Sequence, residues 1–190
     1  MNSLSFFLHW LCDPVQVGAL APSGSALASL ITSEIEPESA PVLELGPGSG
    51  SFTRVLIDRG IPQERLALIE ESPRFSLVLA KRFPGATVVR ADAADLGSIE
   101  IFSGEQAGAV VSGLPLLLMS PRKVSAILGG AFKRLRRGGA FYQFTYGSRP
   151  PVPAAILESM GLTATRVGRT LANIPPATVY RIERRRVSVH

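Results

Sequence analysis

Residues 42–45, VLEL, form a short apolar run that gives way to glycine at 46, 48 and 50, after which Phe52, Val55 and Leu56 recur at helical spacing. Such a pattern predicts a buried strand that turns sharply into an amphipathic helix. Strand and helix patterns then alternate along the chain. Further strands are predicted over 65–70, 86–91, 109–112 and 140–146, with helices from 73 to 82 and from 121 to 136. The second of these helices carries Val124, Ile127, Leu128 and Leu135 on one face, and Gly138 and Gly139 are expected to stop it. A short helix over 153–160 and two strands, 163–171 and 177–184, complete the pattern.

Upstream, Leu4, Phe7, Leu8 and Leu11 fall at i, i+3, i+4 and i+7, with Phe6 and Trp10 widening the stripe. They predict a short helix over 3–12, apolar around much of its circumference and ended by Pro14. A second helix is expected over 23–33, before a Pro/Glu/Ser linker. Seven strands interleaved with helices predict an α/β fold: one Rossmann-like domain over 1–190 with a mostly parallel sheet and helices on both faces. Residues 1–40 are expected to form an N-terminal helical extension that binds membrane or acts as a lid, and 41–190 the catalytic core.

Composition narrows the class. The 190 residues are 46% hydrophobic, enough for a substantial core. No window reaches the ~18 continuous apolar residues of a spanning helix. The run from Leu4 to Leu11 is short, contains His9 and has no basic residue before it, so it does not resemble a secretory signal. A cytoplasmic protein is expected. A single cysteine, Cys12, excludes an internal disulfide, and His9 and His190 form no ligand cluster with it, so no metal is expected. The net charge of +5 is unevenly spread: 7 basic and 13 acidic residues precede Gln106, whereas 13 basic and 2 acidic residues follow from it. The second half should therefore attract anions, whether nucleic acid, an anionic membrane surface or a phosphate-bearing small substrate.

The candidate chemistry sits at the ends of the strands. Gly46, Gly48 and Gly50 let the backbone come close to a cofactor, and Glu44 beside them suits a cationic group better than a phosphate. Glu70 ends the second strand 20 positions after Gly50, the offset at which this architecture places a carboxylate on ribose hydroxyls; Glu71 competes for the role. Asp92, followed by Ala93, comes directly after the third strand, and Asp95 nearby is the alternative as a mere helix cap. Ser112 opens SGLPLL at the end of the fourth.

The acidic G-x-G-x-G turn resembles the first motif of class I S-adenosylmethionine-dependent methyltransferases. Extended by VGALAPS, RADAADL, VSGLPLL, FYQFTYG and NIPPATVY, the resemblance covers about the whole chain and is to the small bacterial phospholipid N-methyltransferases, relatives of the ribosomal adenine dimethyltransferases. It implies S-adenosylmethionine as cofactor, held by Glu44, the three glycines, Glu70 or Glu71, Asp92 at the adenine amine, Ala93 and Ser112. In the adenine-amine enzymes an Asn-x-Pro-Tyr type sequence orients the attacking amine; here Ser112 replaces the amide and Leu116 the aromatic residue, which removes the platform for stacking a base. The implied reaction is successive methylation of phosphatidylethanolamine towards phosphatidylcholine by a monomer at the inner face of the membrane, without nucleic acid. An RNA or protein N-methyltransferase is the alternative.

An alkyl ammonium with a pKa of ~10.4 is less than about 0.1% neutral at pH 7, so the acceptor must lose a proton before it can react. Burial of the amine, with proton loss to water or a tyrosine, is the expected route. Quaternary products are held by aromatic faces. Tyr142, Phe144 and Tyr146 alternate on the fifth strand and Tyr180 follows a double proline; Tyr146 and Tyr180, with Ser112, are the expected catalytic residues. Arg149 or Arg169 could bind a lipid phosphate.

Overall fold

The computed structural model describes residues 22–146, 149–173 and 175–185. The helix expected over 3–12, the stretch 17–21, Cys12, both histidines and Ile174 lie outside the described residues. The described chain begins with α1 (Pro22–Ile31), followed by β1 (Val42–Leu45), α2 (Ser51–Asp58), β2 (Leu66–Glu70), α3 (Pro73–Arg82) and β3 (Thr87–Arg90). It continues through β4 (Ala107–Ser112), α4 (Pro121–Arg134), β5 (Leu135–Thr145), α5 (Ala154–Ser159), β6 (Leu162–Thr170) and β7 (Ala177–Arg184).

The strands form one seven-stranded sheet in the order β3-β2-β1-β4-β5-β7-β6. Pairings from β3 through to β5 are parallel, while β7 runs antiparallel to both β5 and β6. Every residue of β1 and β2 is buried, which is why these strands read as continuous apolar runs rather than as alternating ones. Leu27 and Ile31 of α1 and Leu56 of α2 pack on one face with Val111, Tyr142 and Phe144. Leu79 of α3, with Phe83, covers Leu68 on that same face. Val124, Ile127 and Leu128 of α4 and Ile156 and Leu157 of α5 cover the other face, over Leu43, Leu45, Val110 and Phe141.

One boundary departs from expectation. Helix α4 ends at Arg134 rather than at residue 136, because Leu135 turns extended (φ −78°, ψ 132°) after its amide makes the last helical bond to the Ala131 carbonyl, and the chain then pairs with β4 through Leu135 and Ala107. Gly138 and Gly139 therefore lie inside β5 instead of stopping the helix. Gly138 takes a left-handed φ of 79°, and Gly139 serves close approach: a Cβ on it would stand 2.9 Å from the Gly108 carbonyl oxygen, beside the register shift between Ala107 and Ala109. That contact also extends β4 back to Ala107.

Candidate active site

The turn after β1 is built from three left-handed glycines, Gly46 (φ 66°), Gly48 (φ 54°) and Gly50 (φ 82°), each in a conformation that costs other residues ~1–2 kcal/mol. Their surroundings differ. A Cβ on Gly46 would stand 2.6 Å from Leu114 Cδ2, and one on Gly50 2.4 Å from Phe83 Cε2, whereas one on Gly48 would meet nothing within 4 Å. Gly46 and Gly50 thus admit neighbouring side chains, and Gly48 leaves open space at the carboxyl edge of the sheet, where ligands bind in open α/β folds.

Glu70 braces this turn from the end of β2. Its carboxylate accepts the Gly48 amide at 3.0 Å on one oxygen and the Ser72 amide at 2.8 Å on the other. A carboxylate has about four lone-pair sites, so two remain for a pair of hydroxyls. Glu71, one residue beyond the strand, is exposed.

Glu44 lies fully buried inside β1. One of its oxygens accepts the Thr53 hydroxyl at 2.6 Å, and the Thr53 amide in the first turn of α2 also donates to the carboxylate. Burial pushes the carboxyl up to about 7 against these hydrogen bonds, and Glu70 adds a smaller push in the same direction. The second oxygen, Oε1, is buried with no partner. An acceptor left in that state costs ~1–3 kcal/mol, and a cationic donor would relieve it.

Asp92 accepts the Ala94 amide at 2.9 Å and so caps the short 3-10 turn Ala93–Asp95; Asp95 lies within that turn rather than capping it. Its other oxygen accepts Lys123 Nζ, from the first turn of α4, at 2.6 Å. The Ala94 amide first, then Lys123, hold the Asp92 carboxyl below its usual range. Lys123 is raised in turn by Asp92, with smaller contributions from Glu71 and Asp95. Ala93 itself is buried in the core.

Ser112 closes β4 fully buried, with its hydroxyl oxygen accepting the Leu114 amide at 3.3 Å. The chain then makes an inverse γ-turn about Pro115 (φ −81°, ψ 66°), in which the Leu116 amide donates to the Leu114 carbonyl at 3.0 Å. Gln143 of β5 donates to that same carbonyl at 2.9 Å and to the Phe144 carbonyl at 3.1 Å. Ser112 pairs with Gln143, and Gln143 with Tyr180, so these three form one row across β4, β5 and β7.

No family model matches the chain. Over 146 residues it is 37% identical to the ornithine lipid N-methyltransferase of Singulisphaera acidiphila (strain ATCC BAA-1392 / DSM 18658 / VKM B-2454 / MOB10), an alignment covering 74% of this chain and 73% of the relative. The chain belongs to this lipid N-methyltransferase family. The N-methyltransferase shares its class I fold with glycopeptide N-methyltransferase MtfA complexed with S-adenosylmethionine (TM-score 0.66, 14% identity, 86% of this chain and 95% of that one). The NodS N-methyltransferase of Bradyrhizobium japonicum WM9, in complex with S-adenosylhomocysteine, matches with TM-score 0.64 and 16% identity over 98% of this chain and 100% of that one.

S-adenosylmethionine is the cofactor of this enzyme. The residues fit it: Glu44 Oε1 is an unpartnered acceptor for an ammonium, Gly48 leaves space, and Glu70 retains lone pairs for ribose hydroxyls. When bound, the cofactor supplies an electrophilic methyl group on a sulfonium.

The candidate aromatic residues of this N-methyltransferase do not share a face. Tyr146 packs edge-on against Phe144 (5.3 Å between centroids) on the side of α1 and α2, and Phe144 likewise meets Phe52 at 6.1 Å. Tyr180, in register with Gln143, lies on the α4 side. The two tyrosines therefore flank the edge of β5 from opposite faces. Tyr142 is directed elsewhere, donating to Glu34 at 3.2 Å, and burial pushes its hydroxyl up to about 12. Burial also raises the Tyr146 hydroxyl, although a hydrogen bond with the Asn173 side chain opposes it. A phenolate at Tyr146 or Tyr142 is thus disfavoured as proton acceptor. Arg149 and Arg169 are exposed.

A separate surface depression of about 500 Å³, lined by Ile57, Ile61, Gln63 and Pro84, lies at the amino ends of β2 and β3, away from this chemistry. Thr53, Lys123, Gln143 and Asn173 are the site residues that sequence reasoning missed. Gln143 did leave a signal, as the lone amide in the apolar run FYQFTY.

Proposed function

We propose that this enzyme methylates the terminal amine of phosphatidylethanolamine at a membrane surface, in successive steps towards phosphatidylcholine. The observation that carries a lipid acceptor is the 37% identity to a lipid N-methyltransferase over 73% of its length. The carboxyl edge supports it: Leu117 and Leu118 after β4 and Leu171 after β6 are 59%, 45% and 72% exposed, which suits acyl chains better than a nucleobase. Exposed Arg149 and Arg169, following β5 and near the end of β6, offer cations to a head-group phosphate.

The row Ser112–Gln143–Tyr180 contains no carboxylate or imidazole base. Deprotonation of the acceptor then rests on desolvation, which lowers an ammonium pKa by ~3 units or more when burial is complete; the proton leaves to water. No helix among the described residues is long and apolar enough to cross a membrane, and attachment from the cytoplasmic side is peripheral in this reading. The acceptor does not need to be nucleic acid, and a monomer suffices.

A second reading has its own support. The relative acts on ornithine lipid, whose head group would meet the same edge and the same arginines. Labelled-methyl transfer to vesicles of phosphatidylethanolamine, vesicles of ornithine lipid and total RNA, assayed side by side, separates the possibilities. Label in phosphatidylethanolamine supports the proposal, label confined to ornithine lipid replaces it with the second reading, and label in RNA alone overturns both.

A further inference from the structure

Gln143 is 1% exposed, and both of its amide N–H groups are committed to backbone carbonyls, Leu114 at 2.9 Å and Phe144 at 3.1 Å. Those two acceptors fix the orientation of the amide, because only nitrogen can face them. The carbonyl oxygen is consequently buried without a partner. A group chosen for stability alone would not leave an acceptor unpaired in the core. The amide also reaches across the sheet edge: it grips the turn after β4, and Leu114 in that turn packs onto Gly46, whose Cβ would stand 2.6 Å from the leucine Cδ2. Gly46 begins the cofactor turn, and the Leu114–Leu116 turn leads directly into the exposed Leu117 and Leu118.

We propose that Gln143 is a positioning residue for methyl transfer: it pins the post-β4 turn against the Gly46 turn and thereby sets the spacing between acceptor and methyl donor. The inference rests on the lipid N-methyltransferase reading above. It acts through the Leu114 carbonyl, whose two lone pairs are taken by Gln143 and the Leu116 amide, so Gln143 holds the turn without itself contacting the acceptor. Misplacement by about 1 Å can cost on the order of 100-fold in rate, so the effect belongs in kcat.

The test compares wild type with Gln143→Met and Gln143→Glu. Methionine matches the volume, deletes the two donors and also deletes the unpaired oxygen, so the melting temperature is expected to stay within a few degrees and cofactor affinity by calorimetry within about threefold. The expected result is a kcat on lipid vesicles lowered about tenfold or more, with KM for lipid little changed. In Gln143→Glu an ionised carboxylate repels the two carbonyls, whereas the protonated acid donates to one of them. The ratio of its kcat to that of wild type therefore rises as pH falls, and the ratio for Gln143→Met stays flat.

Unchanged kcat in Gln143→Met overturns the proposal. So does a loss of kcat that tracks losses of melting temperature and cofactor affinity, since that marks a structural role. Should Gln143→Met fail to fold, the Gln143→Glu ratio decides, and a flat ratio overturns the proposal. Wild-type protein inert on every lipid offered overturns the lipid reading instead.

Discussion

Lys123 Nζ stands 2.6 Å from Asp92 Oδ2, so the carboxylate implied for the adenine amine is already held from α4. Asp92 Oδ1 is committed to the Ala94 amide. Asp92→Ala is expected to weaken S-adenosylmethionine binding by about tenfold or more, from the loss of a charge-assisted hydrogen bond worth ~1.5–3 kcal/mol. Lys123→Met frees Oδ2, and affinity is expected to hold or rise. Calorimetric titration of both variants checks this; a tenfold loss in Lys123→Met would instead make the lysine a cofactor contact.

Glu44 makes cofactor binding depend on pH. Its folded carboxyl is raised from 4.5 to about 7, so the native state holds the proton longer than the unfolded chain does. The associated stability is fully present below about pH 4.5 and is lost as pH rises through about 7, roughly 3 kcal/mol in total. A cofactor ammonium at Oε1 favours the ionised form, so affinity is expected to grow from pH 5.5 to 7.5 with proton release. Calorimetry in buffers of different ionisation enthalpy measures that release, and Glu44→Gln should abolish it.

Glu70 and Glu71 separate cleanly in the structure. Glu70→Ala strips the Gly48 and Ser72 amides of their acceptor and is expected to lower both melting temperature and cofactor affinity, the latter about tenfold or more. Glu71→Ala changes an exposed side chain and should leave the unfolding free energy within about 0.5 kcal/mol of wild type. Equal cofactor affinities in the two variants would remove Glu70 from the ribose.

The three glycines are expected to fail in different ways. Gly50→Ala drives a Cβ to 2.4 Å from Phe83 in a left-handed conformation and should destabilise the fold by more than the ~1–2 kcal/mol of backbone strain alone. Gly48→Ala has open space around it, so its stability cost is the strain only, while the methyl group projects into the cofactor's room. Gly46→Val presses on Leu114 and should abolish cofactor binding in a folded protein. Melting curves and calorimetry on each variant distinguish these outcomes.

Sequence patterns disclosed the strands where burial was complete, since β1 and β2 are unbroken apolar runs, and the turn between β1 and α2 because only glycine fits its conformation. They misplaced the end of α4, where Gly138 and Gly139 look like a helix stop yet lie inside β5, Gly138 in a left-handed conformation and Gly139 in close approach to β4. The placement of Glu44 within β1, Glu70 at the end of β2 and Asp92 just beyond β3 was legible from the strand pattern and spacing. Thr53 and Lys123, the partners of Glu44 and Asp92, were not, because they sit on separate helices that only the fold brings to the sheet, and neither was the grip of Gln143 on the Leu114 turn. Tyr146 and Tyr180 could not be assigned to opposite faces without knowing that β7 runs antiparallel in register with Gln143.

That antiparallel strand divides the enzyme in time as well as in space. Among the described residues, β6 pairs only with β7, and β5 has β7 as its neighbour on that side. The strands β1 to β3 all lie within residues 42–90, whereas the far edge of the sheet closes only once residues 177–184 have been made. A chain stopped before Ala177 exposes two unpaired strand edges, which invite association with other chains. A lesion there would thus yield aggregated protein rather than a folded enzyme lacking Tyr180.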